Sequence, residues 1–168
     1  MARGLFINAK ELKRFTSLNG NVDSDRWLDS VFEAQNRHIK QLLGTDLYVK
    51  IQGHIEAGNI ASYSTYKALL DEYIKPTLIN YSMVELIPNL HFQLSNKGIF
   101  IHNSENSQSA TSEEINSIVQ RYRSVAQYYA TRLTDHLSFY SSSFPEYSTN
   151  TNDEINPSRE GYFTGLVL

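Results

Sequence analysis

The chain has 168 residues, a formal net charge of −3 and no cysteine, with 40% apolar and 20% charged residues. That balance fits one ordinary globular domain with a core of its own. It excludes a disulfide framework, thiolate catalysis and cysteine-ligated metal, and gives no global electrostatic case for nucleic acid or an anionic membrane.

The opening "MARGLFINAKELKRF" has no apolar run of signal-peptide length, and no stretch approaches a membrane span, so the sequence predicts a protein made and used in soluble form. In "NAKELKRF", Asn8 followed three residues on by Glu11 is a capping box opening a short helix that ends near Phe15. "TSLNGNVDSD" reads as a loop, in which Asp23 or Ser24 caps a second helix from Asp25 to Leu43. Leu28, Val31, Phe32, Gln35, Ile39, Leu42 and Leu43 make its buried stripe, and Gly44 is a C′ residue in a left-handed conformation. "TDLYVKIQGHIEAGNIAS" reads as an irregular linker with two glycines.

A third helical region is predicted from Ser64 to about Leu90, kinked or broken at Pro76 and ended by Pro88. The tripeptide Asn80-Tyr81-Ser82 lies inside that helix, so its match to a glycosylation acceptor is read as chance. In "HFQLSNKGIFIHN" the apolar period changes to two around a glycine-containing turn, which predicts a β-hairpin. Thr111 and Glu114 form a second capping box, opening a helix that runs to about Ser141 and would be about 45 Å long. Its predicted stripe is Ile115, Ile118, Val119, Tyr122, Val125, Ala126, Tyr129, Leu133 and Leu137. "SSSFPEY" stops it, and Ser148 to Arg159 is a polar connector. The fold class is therefore mainly α: a bundle of four or five helices with one β-hairpin, a helical domain over 1–147 and an extended arm over 148–168.

The chemistry-bearing residues are sparse. His38, His54, His91, His102 and His136 show no metal-ligand spacing, and Asp23 and Asp25 lack the rest of a calcium loop. Asp135 and His136 are adjacent on a helix and diverge by about 100°, so they form no dyad. The serines at 141–143 lack a nucleophile elbow, and Asp71/Glu72 and Glu113/Glu114 are ordinary helix features. The reading is a non-enzyme with no cofactor and no bound metal. Lys10, Lys13, Arg14, Arg121 and Arg123 are the weak case for a nucleic-acid binder. Of the eleven tyrosines, Tyr66, Tyr73, Tyr122 and Tyr129 are assigned to the core, and Tyr128, turned away from the stripe, to an interface.

In order along the chain, "ELKRF", the loop "NGNVDSDRW" and the helix "LDSVFEAQNRHIKQLLGTDLY" resemble the opening of head–tail connector (adaptor) proteins of tailed bacteriophages. "LLDEYIKPTLINYSMVELIP", "SNKGIF", "RYRSVAQYYATRL" and "FPEY" look more specifically like neck ring proteins of crAss-like phages, and the resemblance covers about residues 5–147. It implies a structural virion protein at the capsid–tail junction, made in the host bacterial cytoplasm. The implied assembly is a homo-oligomeric ring, typically of twelve subunits, that contacts the portal protein and adjacent neck or tail proteins. DNA passes through its channel without sequence-specific binding, and no membrane is involved. The mild negative charge suits such a conduit, since it does not hold a sliding phosphate backbone. The alternatives are a stopper or tail-completion protein lower in the neck, or a non-virion helical interaction module.

In this reading Tyr162, Phe163, Leu166, Val167 and Leu168 belong to an arm that orders on a neighbouring subunit or the portal. The 21 residues after Tyr147 would span up to roughly 70 Å. The rival expectation is that this segment packs back on its own domain. Ile99 and Ile101 of the hairpin and Tyr128 complete the expected protein-interface residues.

Overall fold

A computed structural model describes residues 4–16, 24–95, 98–101, 111–150 and 154–158. The protein is mainly α-helical. Helix α1 is Ala9–Phe15; α2 (Ser24–Ala34) continues through a π turn at Gln35–Ile39 into α3 (Lys40–Leu43), followed by α4 (Thr45–Glu56). Helix α5 (Ser64–Leu69) passes through a second π turn, Leu70–Ile74, into α6 (Lys75–His91). The backbone of Phe92–Ser95 (β1) lies antiparallel to that of Gly98–Ile101 (β2), with Phe92 opposite Ile101 and Leu94 opposite Ile99. Helix α7 (Ser112–Phe139) and the short α8 (Pro145–Thr149) complete the chain order.

Both capping boxes form where the residue types place them. Asn8 N donates to Glu11 Oε2 at 3.0 Å while Glu11 N donates to Asn8 Oδ1 at 2.9 Å. At α7, Thr111 N donates to Glu114 Oε2 at 2.8 Å and Glu114 N to Thr111 Oγ1 at 3.2 Å. Each box satisfies two amides that the first helical turn leaves without partners.

Helix α6 is the centre of the molecule and packs against both α2 and α7. Val31, Ile39, Leu43, Leu47, Ile51, Leu69, Ile74, Leu78, Leu86, Leu133 and Leu137 are buried in one continuous core. A smaller cluster of Val84, Ile115 and Val119 extends it along the first turns of α7. Burying each such aliphatic side chain is worth about 1.5–3 kcal/mol, so this shared core rather than helix propensity holds the bundle.

Four expectations are corrected, and the alternative left open at Pro76 is decided. Residues 45–56 form a helix, not a linker: Leu47, Tyr48 and Ile51 share a buried face, and the cost of Gly53 in a helix interior is smaller than that burial. Gly44 has φ 75° but ψ 162°, an extended positive-φ turn between two helices rather than a left-handed cap. At Pro76 the helix is distorted, not broken. Lys75 N donates to Leu70 O, five residues back, and this widened turn sits where the proline ring would press on the Glu72 carbonyl. Pro88 lies inside α6, which runs on to His91. The "SSSFPEY" stretch is more than a stop, because it turns back into α8 and buries Phe144 and Tyr147 in the core.

The connector is not free over its whole length either. Thr45 N donates to Ile155 O at 3.1 Å and Ser158 N to Gln41 O at 2.8 Å, while Lys40 pairs with Glu154 at 2.6 Å. Residues 154–158 are thereby fixed to the α3–α4 junction.

Candidate interaction surface

Helix α7 presents two unlike sides. Ile115, Val119, Ala126, Ala130, Leu133 and Leu137 face the core. Ile118 and Val125, assigned from the sequence to the same stripe, are 46% and 37% exposed. With Tyr128 at 63% and Phe139 at 80%, they form an apolar row on the outer side. The row steps by three and four residues and includes the exposed charges Arg121 and Asp135 together with Arg132, whose guanidinium sits over the Tyr73 ring at 5.3 Å. Exposed side chains in such a series resemble a helix-pairing seam without its partner.

Two grooves flank α7. The larger, about 790 Å³, lies between α1, the second π turn and α7, and it is lined by Phe15, Pro76, Ile79 and Val125, so Val125 stands where the row meets the groove. Lys75 crosses it, 2.7 Å from both Glu11 and Asp71, and Lys67 also pairs with Asp71. Partial burial works against its ionisation, but the hydrogen bonds from Lys67 and Lys75 hold the Asp71 carboxyl below its usual value. Burial likewise disfavours the Lys75 ammonium, and Asp71 and Glu11 outweigh it and raise its pKa. This groove therefore carries a closed ion-pair network over an apolar floor.

The smaller groove, about 420 Å³, lies between the first π turn, α6 and α7. In it His38 Nε2 lies 3.1 Å from Glu85 Oε1, and the imidazole stacks on Tyr81 at 3.9 Å. Burial lowers the pKa of His38 despite the Glu85 carboxylate. Arg37 reaches the same carboxylate at 3.2 Å. A third exposed patch stands at the end of α7, where Phe139 and Tyr140 lie beside the stacked pair His136–Tyr73.

Among the predicted interface residues, Tyr128 is exposed on the outer row. Ile99 and Ile101 are placed by backbone register alone, opposite Leu94 and Phe92. Tyr162, Phe163, Leu166, Val167 and Leu168 lie outside the described residues, as do His102 and Asp23. The four tyrosines assigned to the core are half-buried at its edge: Tyr66 donates to Glu146 Oε2 at 2.8 Å, and Tyr73 stacks on His136. Among the described residues the buried tyrosines are Tyr48, Tyr81 and Tyr147. Of the basic residues, Lys10 and Arg14 line the larger groove and Arg123 the smaller. Phe15 and Phe139, the most exposed aromatic side chains among the described residues, had no sequence signal beyond falling last in their helices. Among the described residues no cluster of three histidine or acidic side chains is placed to hold a metal ion, and no helix is long and apolar enough to cross a membrane.

Residues 39–157 match a family of unknown function, DUF6712. The chain belongs to that family. The DUF6712 match begins at the end of the first π turn and closes at Pro157, within the segment tied to the α3–α4 junction. It thus takes in both walls of the α6–α7 pair and leaves out α1 and α2. No curated protein and no solved structure matches the chain.

Proposed function

We propose that this protein is a structural component of a tailed-phage virion, a subunit of a neck ring that joins the portal to the tail and extends the DNA channel. The observation that carries the reading is the outer row of α7, where Ile118, Val125, Tyr128 and Phe139 stand in water on a helix already packed on its other side. A domain that works alone gains nothing from such a row, whereas a ring subunit needs lateral surfaces. The order of motifs shared with connector proteins supplies the rest of the case. In this reading the backbone pair Phe92–Ile101 is a second lateral contact, and the ten residues after Ser158 reach a neighbour or the portal. With Ser158 fixed to Gln41, that reach is about 33 Å rather than 70 Å.

The test is co-sedimentation with the portal protein encoded in the same genome, followed by imaging of the fast fraction. The expected result is a stoichiometric ring capping one end of the portal. A folded protein that does not bind belongs lower in the neck, as a stopper or tail-completion protein, or outside the virion. Replacing Ile99 and Ile101 together by Ser is expected to weaken assembly more than folding, and equal losses would return them to a core role.

A further inference from the structure

The outer side of α7 holds a second regularity beside the apolar row. Ser117, Ser124, Thr131 and Ser138 recur every seven residues, all exposed, and at 100° per residue their line and that of Ile118, Val125, Arg132 and Phe139 flank Arg121, Tyr128 and Asp135 on opposite sides. The middle line thus has large side chains along one flank and small hydroxyl ones along the other. The charges on the row are also placed evenly: Arg121 stands seven residues before Tyr128 and Asp135 seven residues after it. Neither makes an ion pair among the described residues.

We infer that α7 is self-complementary, and that two copies of this chain pair antiparallel along its outer side with Tyr128 on the two-fold axis. Turning one copy end for end about Tyr128 sets Arg121 opposite Asp135 of the second copy, twice. The same turn keeps each flank facing its own kind: Ile118 lies beside Phe139 of the second copy and Val125 beside Arg132, while Ser117 faces Ser138 and Ser124 faces Thr131. The two Tyr128 side chains meet on the axis, and the small hydroxyl flanks let the helix axes approach within the usual range of about 8–10 Å. A parallel arrangement brings Arg121 against Arg121 and Asp135 against Asp135, which like-charge repulsion disfavours. A helix of 28 residues, about 42 Å long, offers room for all six turns of this contact.

Such a contact is isologous and closed, so it stops at two copies. It covers the apolar row in the free protein and must open before the same row can serve in a ring. The pairing does not depend on the ring reading.

Sedimentation velocity on the full-length chain across concentration is the first measurement, with a species of twice 19.2 kDa expected. Because the chain has no cysteine, Tyr128→Cys gives one reporter: oxidation is expected to yield a covalent dimer, and Val49→Cys, exposed on α4, is expected to yield none. Arg121→Asp and Asp135→Arg are each expected to weaken the dimer by about tenfold or more, and mixing the two variants to restore it. Ser124→Trp, which places bulk where the partner's Thr131 lies in the pairing, is expected to give a monomer with unchanged melting. A monomer at every concentration, a Tyr128→Cys chain no faster to cross-link than the Val49→Cys chain, or a dimer indifferent to the charge reversals overturns the pairing. Portal co-sedimentation reads the ring separately. A portal-binding monomer sinks the pairing alone, and a dimer with no affinity for the portal sinks the ring alone.

Discussion

Gln35 carries more of the fold than its polarity suggests. Its side chain accepts from Phe6 N at 2.8 Å and donates to Gly4 O at 3.0 Å and Tyr48 Oη at 2.9 Å, all in a buried position. One amide thereby ties the chain before α1 to both α2 and α4. Gln35→Leu keeps the volume but leaves the Phe6 amide and Gly4 carbonyl buried without partners, a loss of about 2–3 kcal/mol expected in urea unfolding. His38 gives a pH signature. Burial lowers its folded pKa below 6.5, so the unfolded chain binds the proton more readily. His136 is shifted in the same direction by burial. Stability is therefore full above pH 6.5 and falls as the pH drops through the folded values, where melting temperature is expected to decline. The double variant His38→Asn, His136→Asn is expected to flatten that decline between about pH 7 and 5. A slope unchanged by the substitutions would assign it to other groups.

At the scale of elements, the hinge between α3 and α4 is the most exacting backbone site. Gly44 has φ 75°, and a Cβ built there meets Pro157 Cδ at 2.8 Å. Gly44→Ala must strain the turn or displace residues 155–158, a cost of about 1–3 kcal/mol in thermal unfolding. Amide exchange at Thr45 and Ser158 is expected to rise with it. Element boundaries were legible wherever side-chain chemistry is local: both capping boxes, at Asn8 and Thr111, stand as their residue types dictate. Features that depend on distant packing were not legible. Helix α4 follows Gly44 and carries Gly53 in its interior, and only contact with the core distinguishes Leu47 and Ile51 from linker residues. Ile118 and Val125 lie within about 100° of the core-facing positions, so periodicity alone admits them to the stripe. The π turns leave no periodic trace, since each shifts the pattern by a single residue. Exposure on α7 has a measurable consequence. Ile118→Ser and Val125→Ser should each change folding stability by under about 0.5 kcal/mol, whereas Leu133→Ala should cost about 2–5 kcal/mol.

For the whole molecule, the α6–α7 pair and the segment 154–158 define what a partner meets. Removing residues 160–168 is expected to leave melting unchanged, because Ile155 and Ser158 keep their bonds to Thr45 and Gln41. The same deletion is expected to abolish portal docking in the co-sedimentation assay. A large fall in melting temperature would place that segment on its own domain instead. The helical class was readable because long amphipathic stretches declare themselves. Of the exposed row on α7 only Tyr128 was singled out from the sequence as turned away from the stripe, because exposure of a side chain depends on what does not pack against it.

The bonds at the α3–α4 junction also decide how the molecule bears a load. Tension applied beyond residue 158 arrives first at the Ser158–Gln41 and Ile155–Thr45 backbone bonds and at the Lys40–Glu154 ion pair. These join the segment to a helix end buried under Leu42, Leu43 and Leu47. A pull is thus passed to the α3–α4 junction before it reaches α8.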